Sequence, residues 1–242
     1  MATVAQHYET HLGPIYAWMA GGPDVALQAG SAEIEALNLP PVPGAAILDL
    51  GAGFGMHSIP LARRGARVTA IDTSMGLLAA LDGLRGDLPI RTVNDDLLGF
   101  HNHIAEAPSA ILCMGDTITH LPGIAAVESL VEKAAAELPQ GGLFIVSFRD
   151  YSAPLLADHR FIPVRSDDTR ILTCFLEYEP EAVVVHDILH EHQVGGWQTR
   201  ASHYRKLRLP PERLTACLRK NGFDVRREAG TRGMVRLVAR RV

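Results

Sequence analysis

The chain has 242 residues, 47% of them hydrophobic and 21% charged, and a net charge of -4, which suits one full core of a soluble globular domain. That balance excludes a strongly basic nucleic-acid or anionic-membrane binder, and no apolar run reaches the roughly 18 residues of a membrane span. The opening MATVAQHYETHLGP lacks the basic start and apolar core of an export signal, so a cytoplasmic protein is expected, with Cys113, Cys174 and Cys217 as reduced core residues.

Residues 1 to about 40 read as two helices, separated by Gly21-Gly22-Pro23 and closed by a linker from Pro40 to Gly44. Tyr8, His11, Tyr16 and Trp18 fall in the first, amphipathic segment. From position 45 short β-branched runs alternate with helical patterns, which is the signature of a parallel sheet wrapped by helices. Strands are expected at 45–50, 67–72, 90–93, 110–114 and 143–148, almost wholly apolar because both of their faces are covered. Val127, Leu130, Val131, Ala134 and Leu138 keep the spacing of one buried helical stripe, which Pro139-Gln-Gly-Gly stops. Beyond 148 four strand-like stretches, 160–164, 170–178, 182–192 and 197–209, follow without a helical interval and predict an antiparallel insert. A helix resumes at Pro210-Pro-Glu, with Gly222 as its C-terminal cap, and strands near 224–228 and 234–240 suggest a closing hairpin.

The stretch 49-DLGAGFG-55 follows the first strand and leads into a helix over 57–64, with Pro60 in its first turn where a missing N–H costs little. A strand, a glycine turn and a helix start in that order bring backbone N–H groups close to a carboxylate or phosphate. Dinucleotide loops read G-x-G-x-x-G. Here Gly51, Gly53 and Gly55 read G-x-G-x-G, and Asp49 at the strand end suits an ammonium better than a pyrophosphate. A ligand with an amino-acid tail satisfies both features, and S-adenosylmethionine has one. Asp72 ends the next strand, 17 residues after Gly55, where a carboxylate accepts from both ribose hydroxyls of an adenosine, with Thr73 beside it. Asp96 in 93-VNDDL-97 is placed to accept from an adenine amino group; Asp95 is the neighbouring alternative, and Leu97 and Met114 complete the set. Each aspartate alone reads equally well as a helix cap or a solvated strand end. Three at successive strand ends read as a site.

These residues, with 68-VTAIDTS-74 and 111-ILCMGDT-117, resemble the class I S-adenosylmethionine-dependent methyltransferases over roughly 40–150 and more loosely to the end. The resemblance implies an α/β fold: a Rossmann-like, seven-stranded, mostly parallel sheet with helices on both faces. It also implies the cofactor S-adenosyl-L-methionine over the carboxyl ends of the first strands, and methyl transfer to an acceptor above the ends of strands four and five. The expected organisation is one domain over 1–242: a helical cover to 40, a cofactor core at 41–150, the insert at 151–209, and a closing helix and strands at 210–242.

Gly115-Asp-Thr-Ile-Thr-His-Leu121 is similar to the segment after strand four of glycine and sarcosine N-methyltransferases, with Asp116 where those have Asn. Such a carboxylate favours a cationic or hydrogen-bond-donating acceptor. Transfer from a sulfonium is an in-line displacement, so alignment and exclusion of water dominate. A base is needed only for a protonated amine, a task open to His120 or Asp116; His120 reads alternatively as a cap of the helix beginning near Pro122. Arg149 is placed either to clamp an acceptor carboxylate or to pair with Asp150 or the insert, and Tyr151 follows it. Tyr8, His11, Tyr16 and Trp18 are expected to lid the pocket and touch the acceptor.

In the insert His186, His190 and His192 share one face of a strand. Zinc chelation and an interface strand are both open readings, and without a cysteine cluster no metal is expected. Trp197, Tyr204 and Arg205 read as packing or interface residues. The resemblance around Gly115 to His120 implies a small molecule methylated on an amine nitrogen, while 6% aromatic content offers few stacking platforms for a nucleobase and no aromatic-basic interleaving marks a nucleic-acid groove. The rivals are an O-methyltransferase for a carboxylate or phenol, best supported by Arg149, and a non-catalytic nucleotide-binding scaffold. The exposed strands of the insert suggest a homodimer.

Overall fold

A computed structural model describes residues 3–37, 39 and 42–242. Of the expected linker, Pro40 and Pro41 lie outside the described residues. The N-terminal stretch is helical, as α1 (Val4–His7), a π-helical turn (Tyr8–Leu12), α2 (Gly13–Met19) and α3 (Pro23–Ala36). The π turn is a departure from the two plain helices expected. Gly13 lets it form: a Cβ there would lie 2.4 Å from the Tyr8 carbonyl oxygen. One extra residue in the turn shifts the phase of the helix, and such bulges recur at functional sites.

Strands β1 (Ala46–Leu50), β2 (Arg67–Asp72), β3 (Ile90–Asn94), β4 (Ala110–Cys113) and β5 (Leu143–Phe148) pair in parallel. Among them run α4 (Ser58–Arg63), α5 (Met75–Arg85) and α6 (Ile124–Glu137), and after them come α7 (Pro211–Lys220), β10 (Phe223–Ala229) and β11 (Val235–Arg241). The sheet has seven strands in the order β10-β11-β5-β4-β1-β2-β3, and β11 runs antiparallel to both neighbours. The expected closing hairpin is therefore a pair of integral sheet strands. Every residue of β4 and β5 is buried, as doubly covered strands require. Their side chains alternate between two cores: Phe144, Val146 and Phe148 pack under α6 and α7, while Leu143 and Ile145 join the core under α3, α4 and α5.

The antiparallel insert is a separate four-stranded meander of β6 (Phe161–Ser166), β7 (Arg170–Tyr178), β8 (Ala182–Gln193) and β9 (Gly196–Leu207). Its inner face packs Leu172, Leu176, Val183, Val185 and Leu189 against Val4, Tyr8, Leu12 and Ile15 of the N-terminal helices. On its outer face His186 lies 3.1 Å from Glu177, His190 bonds Thr199 at 2.9 Å, and His192 stands against Trp197. Among the described residues no cluster of three metal-capable side chains occurs, and no helix is long and apolar enough to cross a membrane.

The order of strands reverses between β1 and β4, and a crevice opens at such a point outside the carboxyl ends. A cavity of about 360 Å³ occupies it.

Candidate active site

One end of the cavity is lined by Gly51, Ala52, Gly53, Asp72, Thr73, Asp95, Asp96, Leu97 and Met114. Gly51 holds φ +74°, and a Cβ on it would strike the Thr117 side chain at 2.4 Å; Gly53 holds φ +54° with open space where its Cβ would be. The loop thus lets a ligand approach its backbone at Gly53. Asp72 fixes this geometry, because its Oδ2 accepts the Gly53 N–H at 2.8 Å and its Oδ1 the Ser74 N–H at 2.9 Å. Burial raises its pKa, against those backbone hydrogen bonds.

Asp96 both lines the cavity and caps a 3-10 turn, accepting the Leu98 N–H at 2.8 Å. Asp95 takes the His103 ring at 2.7 Å, and that hydrogen bond leads the causes that hold its pKa below the usual carboxylate range. Both aspartates thus line the cavity, and Asp96 is at the same time a cap. Two expected members of the set lie elsewhere. Asp49 is 1% exposed and receives the Ser58 hydroxyl at 2.6 Å beneath the loop. Gly55 turns from the cavity toward Leu81 and Ile59, where a Cβ would meet Leu81 at 2.3 Å.

The other end is lined by Tyr8, Tyr16, His120, Leu121 and Pro122. His120 ends a 3-10 turn (Thr117–His120), stacks on Tyr204 with ring centroids 5.5 Å apart and meets the edge of Tyr8 at 5.4 Å. It caps nothing: α6 begins at Gly123 without a side-chain cap. Its Nδ1 is buried without a hydrogen-bond partner among the described residues. Burial, and after it the Lys206 charge, push its pKa down to about 3, so the ring is neutral at pH 7. Burial likewise keeps the Tyr8 and Tyr16 phenols protonated.

Asp116 sits behind this end and does not line the cavity. It follows Gly115 in a left-handed turn, at φ +79°, a conformation that aspartate and asparagine tolerate. Its Oδ1 accepts the Arg149 N–H at 2.9 Å, and its Oδ2 takes Lys206 Nζ at 2.5 Å and the Tyr151 hydroxyl at 3.2 Å. Burial would raise its pKa, but the Lys206 charge and hydrogen bond hold it below the usual value. A carboxylate so paired is a poor base, and its expected proton-accepting role gives way to a structural one. Tyr151 is buried against it with its pKa pushed up to about 12, mainly by burial.

Arg149 forms neither expected contact. Its guanidinium donates to the Arg232 carbonyl at 2.9 Å, outside the cavity. His11 is buried with its Nε2 unpartnered among the described residues, 5.2 Å from the His7 ring, and Trp18 donates to Asp167 between Arg165 and Arg170 on the meander. Both face the insert, and Trp18, two residues after Tyr16 in α2, points to the side of that helix opposite the cavity. His7, in turn, holds Asp187 at 2.9 Å and Ser202 at 2.8 Å and ties the cover to β8 and β9.

Sequence reasoning missed Lys206 and read Tyr204 as a packing or interface residue. The signal lay in period two: Ser202, Tyr204 and Lys206 share the inner face of β9, where an unpartnered lysine has no place. The neutral His120 has a testable consequence. An unfolded chain protonates it near pH 6.5, the folded protein only near 3, so the unfolded state binds more protons in between and stability falls as pH drops through that window. In urea titrations at pH 7 and pH 4, His120→Phe is expected to show a smaller acid loss than the wild type. An unchanged loss would reject the burial of a neutral ring.

Residues 47–142 match the family model described as a methyltransferase domain. The glycine/sarcosine N-methyltransferase of Aphanothece halophytica is 32% identical over 117 residues, 48% of this chain and 43% of that protein. A ubiquinone biosynthesis O-methyltransferase of Xylella fastidiosa is 38% identical over 112 residues, 44% of this chain and 43% of that protein. The matched part thus spans under half the length of these relatives. Among solved structures, the CcbJ methyltransferase from Streptomyces caelestis superposes with a TM-score of 0.78 at 20% identity, over 97% of this chain and 98% of that one. An S-adenosylmethionine-dependent methyltransferase from Clostridium acetobutylicum gives 0.75 at 16% identity, over 95% and 97%. At such identities the likeness is one of fold.

Proposed function

We propose, from the premise that residues 47–142 form a class I S-adenosylmethionine-dependent methyltransferase domain, that this chain methylates the nitrogen of a small, neutral amine. The observation that supports it is the single cavity joining an acid-lined end, with Gly53, Asp72, Asp95 and Asp96, to an aromatic end with Tyr8, Tyr16 and His120. The residues at the first end suit the cofactor: Asp72 keeps lone pairs for ribose hydroxyls, Asp95 or Asp96 faces the adenine, and Gly53 leaves room for the tail. When bound, S-adenosylmethionine supplies an electrophilic methyl group on a sulfonium.

At the second end the chain's own groups orient the acceptor. His120, neutral, accepts an N–H of the amine and does not compete with it for a proton. The Tyr8 and Tyr16 phenols donate, and their rings and Leu121 exclude water. Among the described residues no aspartate or glutamate lines that end to hold an ammonium, and Asp116 is spent on Lys206. The amine therefore enters unprotonated: its lone pair forms the N–CH3 bond as the S–CH3 bond breaks, and the resulting ammonium gives its proton to bulk water as the product leaves. Among the described residues no arginine or lysine lines the cavity, so the carboxylate clamp that would favour O-methylation has no support there. The curated relatives divide between N- and O-methyltransferases, so the acceptor atom rests on these side chains.

The test is transfer of a labelled methyl group from S-adenosylmethionine to panels of small amines, carboxylates and phenols. Turnover of amines is the expected result. Turnover confined to hydroxyl or carboxylate acceptors would overturn the nitrogen assignment, and cofactor binding with no turnover of any panel would favour a scaffold.

A further inference from the structure

The cavity has three aspartates at its adenosine end and, among the described residues, no lysine or arginine anywhere in its lining. A cofactor with an amino-acid tail brings a carboxylate into it. We propose that His57 is the cation that receives that carboxylate, and that Glu33 and Thr231 are positioning residues that hold its ring; the proposal rests on the methyltransferase reading above.

His57 lines the cavity beside Gly53 and Met56 and is 7% exposed. Its Nε2 lies 2.9 Å from Glu33 Oε2 on α3, and Thr231 from the turn between β10 and β11 donates its hydroxyl to the other Glu33 oxygen. Three segments far apart in sequence meet to bury one imidazole and one carboxylate. Burying such groups costs the fold more than an apolar pair would, and here the ring is also set against the cavity. With Nε2 committed to Glu33, Nδ1 is the ring nitrogen left for a ligand. Helix α4, at six residues, is too short for its terminus to stand in for a full cation.

The charged groups facing the ring agree with this role. Glu33 faces it from α3 and Asp49 from the end of β1, and Arg236 of β11 acts on Glu33. Burial opposes the charged ring, but the Glu33 hydrogen bond and the Asp49 charge outweigh it and raise the His57 pKa. Asp49, expected to meet the cofactor's ammonium, does not line the cavity, and its charge favours the protonated ring. The ring is cationic below its folded pKa, so its hold on a carboxylate is present there and is lost as pH rises through it.

The experiment compares S-adenosylhomocysteine with 5′-methylthioadenosine, which keeps the adenosine and sulfur but lacks the tail, by calorimetry on the full chain. His57→Gln is expected to weaken S-adenosylhomocysteine about 10- to 100-fold, the range of a charged hydrogen bond, and to leave methylthioadenosine unchanged. As pH rises through the raised folded pKa of the ring, the wild type should lose affinity for the tailed ligand alone, a loss absent from His57→Gln. Glu33→Gln should move that loss to lower pH. Equal weakening of both ligands, or of neither, overturns the proposal. If His57→Gln does not fold, a pH-independent ratio of the two wild-type affinities overturns it as well. A wild type that binds neither ligand removes the methyltransferase reading itself, an outcome distinct from a lost tail preference.

Discussion

Lys206→Met is expected to destabilise the protein by about 3–5 kcal/mol, the cost of leaving one partner of a buried ion pair uncompensated. Lys206 is 8% exposed and Asp116 3%, with Nζ and Oδ2 2.5 Å apart. The methionine fills the space, but the Asp116 carboxylate keeps only the Tyr151 hydroxyl on that oxygen. Urea unfolding reads the loss directly. A loss below about 1 kcal/mol, the size seen for exposed pairs, would mean that water reaches the pair.

The double variant Asp116→Asn, Lys206→Met should recover part of the loss. Asparagine tolerates the φ of +79° at that position, its oxygen still accepts the Arg149 N–H, and its amide donates to the Tyr151 hydroxyl oxygen. The pH window follows from the two shifts. The lowered Asp116 pKa gives stability that is present above the unfolded value and lost as pH falls through the folded one. The raised Lys206 pKa gives stability that is present below its unfolded value and lost as pH rises through the folded one. The pair therefore holds across the neutral range, and with it the field that keeps His120 neutral. Lys206→Met should accordingly raise the His120 pKa, which NMR titration of the ring would follow.

Asp72→Ala should weaken S-adenosylhomocysteine by about 1.5–3 kcal/mol, roughly 10- to 150-fold, through loss of charge-assisted hydrogen bonds to the ribose. A second effect adds to this. Asp72 also anchors the Gly53 and Ser74 N–H groups, so its removal frees the loop that admits the ligand. Asp72→Asn is no milder, because its NH₂ would oppose one of those N–H groups. A melting curve close to that of the wild type, alongside the lost affinity, would assign the effect to the site. Unchanged affinity would return 49-DLGAGFG-55 to the wider pool of nucleotide loops.

The expected strand at 143–148 coincides with β5, and the others of the parallel sheet begin or end within a residue of expectation. An all-apolar run between glycine turns admits few other structures. Asp72, Asp95 and Asp96 were legible for the same reason, since the end of a parallel strand fixes where its next side chain stands. The contacts around His120 were not. They join residues 7, 8, 116, 120, 204 and 206 across three segments, and no local period relates a lysine on β9 to an aspartate after β4.

The sequence by itself determined the sheet, the glycine loop and the acids that face its crevice, because each follows from local pattern and from the fixed direction of strand and turn. Which of the other polar residues face the cavity, Asp49 among them, was decided only by the tertiary structure. His11 and Trp18 face the insert, Arg149 donates to a carbonyl, and Asp116 spends its charge on Lys206. A charged or polar side chain takes whichever partner the folded chain brings within about 3 Å, and that partner can lie anywhere in the sequence.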